Sequence, residues 1–128
     1  MEVAASLWRV RIEHVALWSA DIERLRAFYE QHLGARAGKR YENAGKGFAS
    51  YFLEFEGGAR LELMQMPGAA GSFAHLALSL GGEAEVDAAT ERLRAAGVPV
   101  VGEPRRTGDG YYESVVLDPD GNRIELTV

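Results

Sequence analysis

The chain repeats itself. Residues 9–66 read as strand, helix and further strands, and residues 73–128 read the same way again. His14 recurs as His75 at a shift of 61 residues, while Gly34 recurs as Gly97, Gly58 as Gly121 and Glu62 as Glu125, each at a shift of 63. A short insertion between the first strand and the end of the helix reconciles the two shifts. Duplicated units of this kind pack together, because neither copy buries its sheet well alone. The expected fold is therefore α+β. It is a single domain over residues 1–128, built from two βαβββ modules at about 9–66 and about 73–128. The two form a curved mixed sheet around a cleft.

The local patterns behind this are of two periods. In RVRIEHVALW (9–18), Val15 and Leu17 share one strand face and His14, Ala16 and Trp18 the other. Ser19 and Asp21 offer N-caps to a helix ending near Leu33, with Ile22, Leu25, Phe28, Tyr29 and Leu33 at helical spacing and Gly34 past its end. Residues 38–47 read as a loop with a short strand near Tyr41, and Phe48–Glu56 as an aromatic strand. Gly57-Gly58 turns the chain into Ala59–Met66, where Glu62, Met64 and Met66 share a face. PGAAGS (67–72) divides the halves. The second half predicts a strand at Phe73–Leu80, a helix from Glu83 to Ala96 stopped by Gly97, and a short strand at Val98–Val101. A loop over 103–110, a strand at Tyr111–Leu117 and the closing DPDGNRIELTV complete it.

The repeat also selects polar residues. The first strand of each half carries a histidine and the last a glutamate, each opposite the apolar row that faces the helix. Singly, such residues are usually hydrogen-bonded or solvated. Jointly the weighting reverses, because two of the chain's three histidines fall at equivalent positions. Two imidazoles and two carboxylates suit a borderline divalent ion, nickel or zinc first and cobalt, manganese or iron next. Calcium or magnesium would take oxygen alone. His32 has no counterpart in the second half and reads as structural or surface.

Composition removes other classes. A net charge of -5 disfavours a nucleic-acid partner. The absence of cysteine removes disulfides, thiolate ligands and thiol nucleophiles. No apolar run approaches the ~20 residues that span a bilayer, and the first residues do not read as a signal peptide. The expectation is a cytoplasmic protein acting on a small molecule, without membrane or nucleic acid.

Five stretches resemble the vicinal oxygen chelate superfamily of glyoxalases, bleomycin-resistance proteins and dioxygenases. They are EHVAL at 13–17, FYEQHLGA at 28–35, LELM at 61–64, HLAL at 75–78 and DPDGNRIEL at 118–126. The order His, Glu, His, Glu is most similar to glyoxalase I. The resemblance implies metal ligation by His14, Glu62, His75 and Glu125, and a homodimer with sites at the interface. It implies isomerisation of a hemithioacetal to a thioester by proton transfer through a metal-stabilised enediolate, the lactoylglutathione lyase reaction. Glu125 is the expected base and Glu62 its partner. Where glutathione-using relatives carry an arginine and an asparagine, this chain has Trp18 and Met66. Those two residues and Met64 are the expected substrate wall, for a substrate less charged than a glutathione adduct. Arg105, Arg106 and Lys46 are loop candidates for anchoring, or plain surface charges. Other family activities, as dioxygenase, epimerase or thiol transferase, and a non-catalytic binding protein stand as alternatives.

Overall fold

The computed structural model describes residues 14–69, 75–107 and 110–128. The expected beginnings of the two leading strands, residues 9–13 and 73–74, lie outside the described residues. The chain divides into two compact units, residues 1–69 and 70–128.

The first unit contains β1 (His14–Trp18), α1 (Ile22–Leu33), β2 (Arg36–Ala37), β3 (Tyr41–Asn43), β4 (Phe48–Glu54) and β5 (Arg60–Gln65). Its sheet has the order β1-β5-β4-β2, with β3 also paired to β4. β1 and β5 are parallel, as a crossover through a helix requires, and the other pairs are antiparallel. α1 buries Ile22, Leu25, Phe28 and Tyr29. It lies against β4 and β5, where Leu53, Leu61 and Leu63 are also buried. Each such side chain contributes roughly 1.5–3 kcal/mol on leaving water.

Both ends of α1 are fixed. The Asp21 carboxylate accepts from the Arg24 N–H, and the Ile22 N–H donates to Gln65 Oε1 at 2.8 Å, so β5 holds the start of the helix. Gly34 turns left-handed at φ 70°, and the Ala35 N–H reaches the Tyr29 carbonyl at 3.1 Å. The strand expected near Tyr41 is β3. β2 is additional, so this unit has one strand more than a plain βαβββ. At two residues it is too short to show alternation.

The second unit contains β6 (His75–Ser79), α2 (Glu83–Ala95), β7 (Val100–Arg106), β8 (Tyr112–Leu117) and β9 (Arg123–Thr127). Its sheet has the order β6-β9-β8-β7, with β6 parallel to β9. Val86, Ala89 and Leu93 of α2 are buried, as are Val116, Ile124 and Leu126 of the sheet. Beneath α2 the Thr90 and Ser114 hydroxyls meet at 2.7 Å, and Thr90 also donates to the Val86 carbonyl. β7 corrects the sequence expectation of a loop from residue 103. The strand runs on to Arg106. It is an edge strand paired only to β8, and its register shifts on either side of Gly102. An edge with such irregularities tolerates Pro104, which in the sequence alone signals a break.

The turn before β9 is self-bonded. Asp118 Oδ1 accepts from the Asp120 and Asn122 N–H groups, and Oδ2 accepts from the Asn122 amide. Gly121, at φ 79°, supplies the left-handed step. The architecture is α+β, with two helices and two mixed sheets. Among the described residues no helix is long and apolar enough to cross a membrane.

Candidate functional site

In each unit the parallel strand pair brings a histidine and a glutamate together in the same way. His14 stands across from Arg60 and Ala16 across from Glu62; His75 stands across from Arg123 and Ala77 across from Glu125. Cross-strand partners share a face. His14, Ala16, Arg60 and Glu62 therefore lie on one side of the first sheet, opposite the row containing Leu17, Leu61 and Leu63. The small alanine across from each glutamate leaves room for the imidazole two residues back. His14 Nε2 faces Glu62 Oε1 at 3.8 Å, and His75 Nε2 faces Glu125 Oε1 at 3.5 Å.

These separations are long for a hydrogen bond. Two donors about 2.0–2.2 Å from a common ion stand roughly 3.0–3.5 Å apart, depending on the angle at the ion. The second pair meets that span, and the first meets it by closing a few tenths of an ångström. The donor chemistry, nitrogen with carboxylate oxygen, fits a borderline divalent metal. With a protonated ring each pair would be an ordinary ion pair. The glutamate side chains are 16% and 25% exposed, the histidines 41% and 56%, so both pairs open toward solvent within their units.

The structure thus brings the four expected ligands together in twos, one pair per unit. Among the described residues no group of three or more His, Cys, Asp and Glu side chains is placed to hold a metal ion. Trp18 and Met64 are cross-strand partners, one row from Glu62. Met66 lies past the end of β5, in an isolated bridge to Ala69. His32 packs its ring on Phe28 at 5.1 Å, in the last turn of α1. Of the loop cations, Arg105 and Arg106 prove to be strand residues. Arg105 stands across from Glu113; Arg106 pairs with Glu83 and lies over the Tyr112 ring. Lys46 sits exposed in the turn before β4.

Three residues on the His–Glu faces of the two units escaped sequence reasoning. Arg60 and Arg123 each occupy the cross-strand position beside a histidine, and Phe52 stands across from Glu62. Phe52 meets the His14 ring edge-on at 5.2 Å, and the Arg60 guanidinium lies over Phe52 at 4.2 Å. A signal for the arginines and alanines was present. The pattern H-x-A-L occurs at 14–17 and 75–78, and R-x-E-L at 60–63 and 123–126.

The family model described as Glyoxalase/Bleomycin resistance protein/Dioxygenase superfamily matches residues 11–126. No curated protein sequence matches. Among solved structures, the chain is similar to glyoxalase I from Zea mays, at 21% identity and TM-score 0.76, over 91% of this chain and 44% of the maize one. It thus spans less than half of that protein. It is also similar to the trypanothione-dependent glyoxalase I of Leishmania major, at 24% identity and TM-score 0.74, over 92% of this chain and 86% of that one. Lactoylglutathione lyase from Agrobacterium tumefaciens matches at 25% identity and TM-score 0.71, over 91% of both chains.

Proposed function

Because the chain belongs to the Glyoxalase/Bleomycin resistance protein/Dioxygenase superfamily, we propose that it is a metal-dependent enzyme of the glyoxalase I kind. The reaction is the isomerisation of a hemithioacetal to a thioester, as in lactoylglutathione lyase. The observation that carries this is the twin pair, His14 with Glu62 and His75 with Glu125, set by the same strand register in both units. Support also comes from the similarity to the Agrobacterium tumefaciens lactoylglutathione lyase.

His14, Glu62, His75 and Glu125 together would hold one divalent ion, nickel or zinc before cobalt, manganese or iron. Such an ion, when bound, supplies Lewis acidity toward two adjacent oxygens of the substrate. A carboxylate oxygen of Glu125 takes the proton from the substrate's hydroxyl-bearing carbon and returns it to the neighbouring carbonyl carbon, while the hydroxyl proton passes to that neighbour's oxygen, so that the first carbon becomes the thioester carbonyl and the second a carbinol. Glu62 is its pseudo-symmetric partner. His14 and His75 act as neutral donors. Trp18, Met64 and Met66 form the apolar wall of the substrate site. Trp18 and Met66 bring no positive charge to a thiol's carboxylates, so the thiol is less charged than glutathione. In this reading the protein works as a cytoplasmic homodimer.

Metal analysis of untagged protein, with turnover of the methylglyoxal–glutathione hemithioacetal and of its uncharged-thiol counterparts, tests the proposal. One ion per chain, lost in His14→Ala and in His75→Ala alike, is expected. Two ions per chain, each lost with one histidine, would mean that the pairs act separately. A chain that takes up none of nickel, zinc, cobalt, manganese and iron would refute the enzyme.

A further inference from the structure

The first unit carries aromatic side chains on the His14–Glu62 face, on the side of the sheet away from its leucine core. Trp18, Met64, Ser50 and Tyr41 form one cross-strand row through β1, β5, β4 and β3. That row holds no charged side chain. Phe48 joins its ends. Its ring meets Trp18 at 6.2 Å and 89°, and Tyr41 at 6.1 Å and 62°. The near-perpendicular Trp18 and Phe48 rings make a corner, which takes a third flat ring against one face and one edge. Trp18, Phe48 and Met64 are half-buried, and Tyr41 is 55% exposed. The core of this unit lies on the opposite face, with Leu17, Leu61 and Leu63. In the second unit the matching row runs Ser79, Thr127, Glu113, with Tyr111 at the place of Phe48, so the fold does without aromatics in the row itself. The row is two residues along β5 from Glu62, roughly 7 Å.

We infer that the substrate carries a flat, uncharged aryl group, seated against Trp18, Phe48 and Tyr41 one strand row from Glu62. The inference deepens the proposed function and rests on its placing the substrate on the His14–Glu62 face. A methyl group would leave the corner largely unfilled. The charged arms of a glutathione adduct would find no partner along the row.

The test uses two hydroxamates with the same chelating head, benzohydroxamate and acetohydroxamate, titrated by calorimetry into the nickel-loaded full chain. Benzohydroxamate should bind at least about tenfold tighter. Trp18→Ala and Tyr41→Ala should each cut that preference to less than about threefold, and Trp18→Phe should keep most of it. Tyr41, being exposed, guards against a mere folding defect. Equal affinities in the native chain, or an aryl preference that survives in both alanine variants, would overturn the inference. If neither nickel nor any other divalent candidate binds, the proposed enzyme fails, and the aryl site is decided by N-phenyl-1-naphthylamine fluorescence on metal-free protein. An affinity at least about fivefold lower in Tyr41→Ala or Trp18→Ala upholds it, and unchanged affinity in both overturns it.

Discussion

In the first unit the row beyond the glutamate runs Trp18, Met64, Ser50; in the second it runs Ser79, Thr127, Glu113. Across from Glu62 stands Phe52, and across from Glu125 stands Val115. The histidine, the arginine beside it, the alanine and the glutamate are the same in both. Duplicated strands can therefore diverge almost freely around a donor pair, because register and not the neighbouring side chains places the donors. What diverged is the surface that would meet the remainder of a substrate. The apolar surface belongs to the first unit and the polar surface to the second.

The sharpest way to break this comparison is to treat the two glutamates alike. Glu125→Gln keeps an oxygen donor but removes the proton acceptor. It should lower kcat by about 10²–10⁴-fold while retaining part of the metal affinity. Glu62→Gln should cost less turnover, since Glu125 is the assigned base. Turnover and metal content of the two variants, measured side by side, settle the matter. Equal losses would make the carboxylates interchangeable, and full activity in Glu125→Gln would remove it as the base.

The next difference lies on the helix side of the sheets. Tyr51 pairs across from Leu63, and Ser114 from Leu126, so the two occupy the same place in their units. Tyr51 sends its hydroxyl out to Glu23 at 2.7 Å, whereas the Ser114 hydroxyl is buried against Thr90 at 2.7 Å. Thr90→Val leaves the Ser114 hydroxyl buried without that partner, at a cost of about 1–3 kcal/mol. Ser114→Ala should cost less, because Thr90 keeps its bond to the Val86 carbonyl. The double variant should sit above Thr90→Val. Urea midpoints would show this; a double variant no more stable than Thr90→Val would mean that the pair is not the cause.

Sequence alone reveals the duplication, the faces of the strands and the His–Glu positions, because a period of two is visible wherever one face is apolar. It expects α1 to start at a cap on Ser19 or Asp21 and to stop at Gly34, and in the structure Asp21 and Gly34 cap it. It misses β2, since two residues cannot display a period, and it breaks β7 at Pro104, since edge position is a property of the sheet. Phe52 was legible as a strand residue but not as the ring against His14, because cross-strand register is not written in either strand by itself. Arg60 and Arg123 were legible in the recurring R-x-E-L and went unread.

The helix starts differ as well. α1 has the Asp21 side-chain cap, and α2 begins at Gly82 with none. Asp21→Ala should cost about 1 kcal/mol. Gly82→Asp should gain a few tenths of a kcal/mol. Gly82 is extended at φ -177°, which any residue adopts, and a Cβ there would meet only the movable carboxylate of Glu85. Urea midpoints again measure both; a loss of stability in Gly82→Asp would mean that Glu85 cannot turn away.

The smallest expected effect concerns acid. In the first unit the Tyr51 hydroxyl, with Arg26 and Arg40, holds the Glu23 carboxyl below its ordinary value of 4.5, while burial pushes the other way. A carboxylate with a depressed folded-state pKa contributes stability that is complete above about pH 4.5 and fades as pH falls through the lower folded value. Tyr51→Phe should therefore lower the urea midpoint at pH 7, and the offset should shrink steadily below pH 4.5. Solvent screening keeps it small, because the Glu23 side chain is 48% exposed, and added salt should reduce it further. In the second unit Glu103, held low by Arg94 alone, is more exposed, at 64% of its side chain. Glu103→Gln should move the same curve less. An offset in Tyr51→Phe that persists undiminished at low pH would assign the contribution to ring packing rather than to the carboxylate, and the two units would then differ only in their sheet faces.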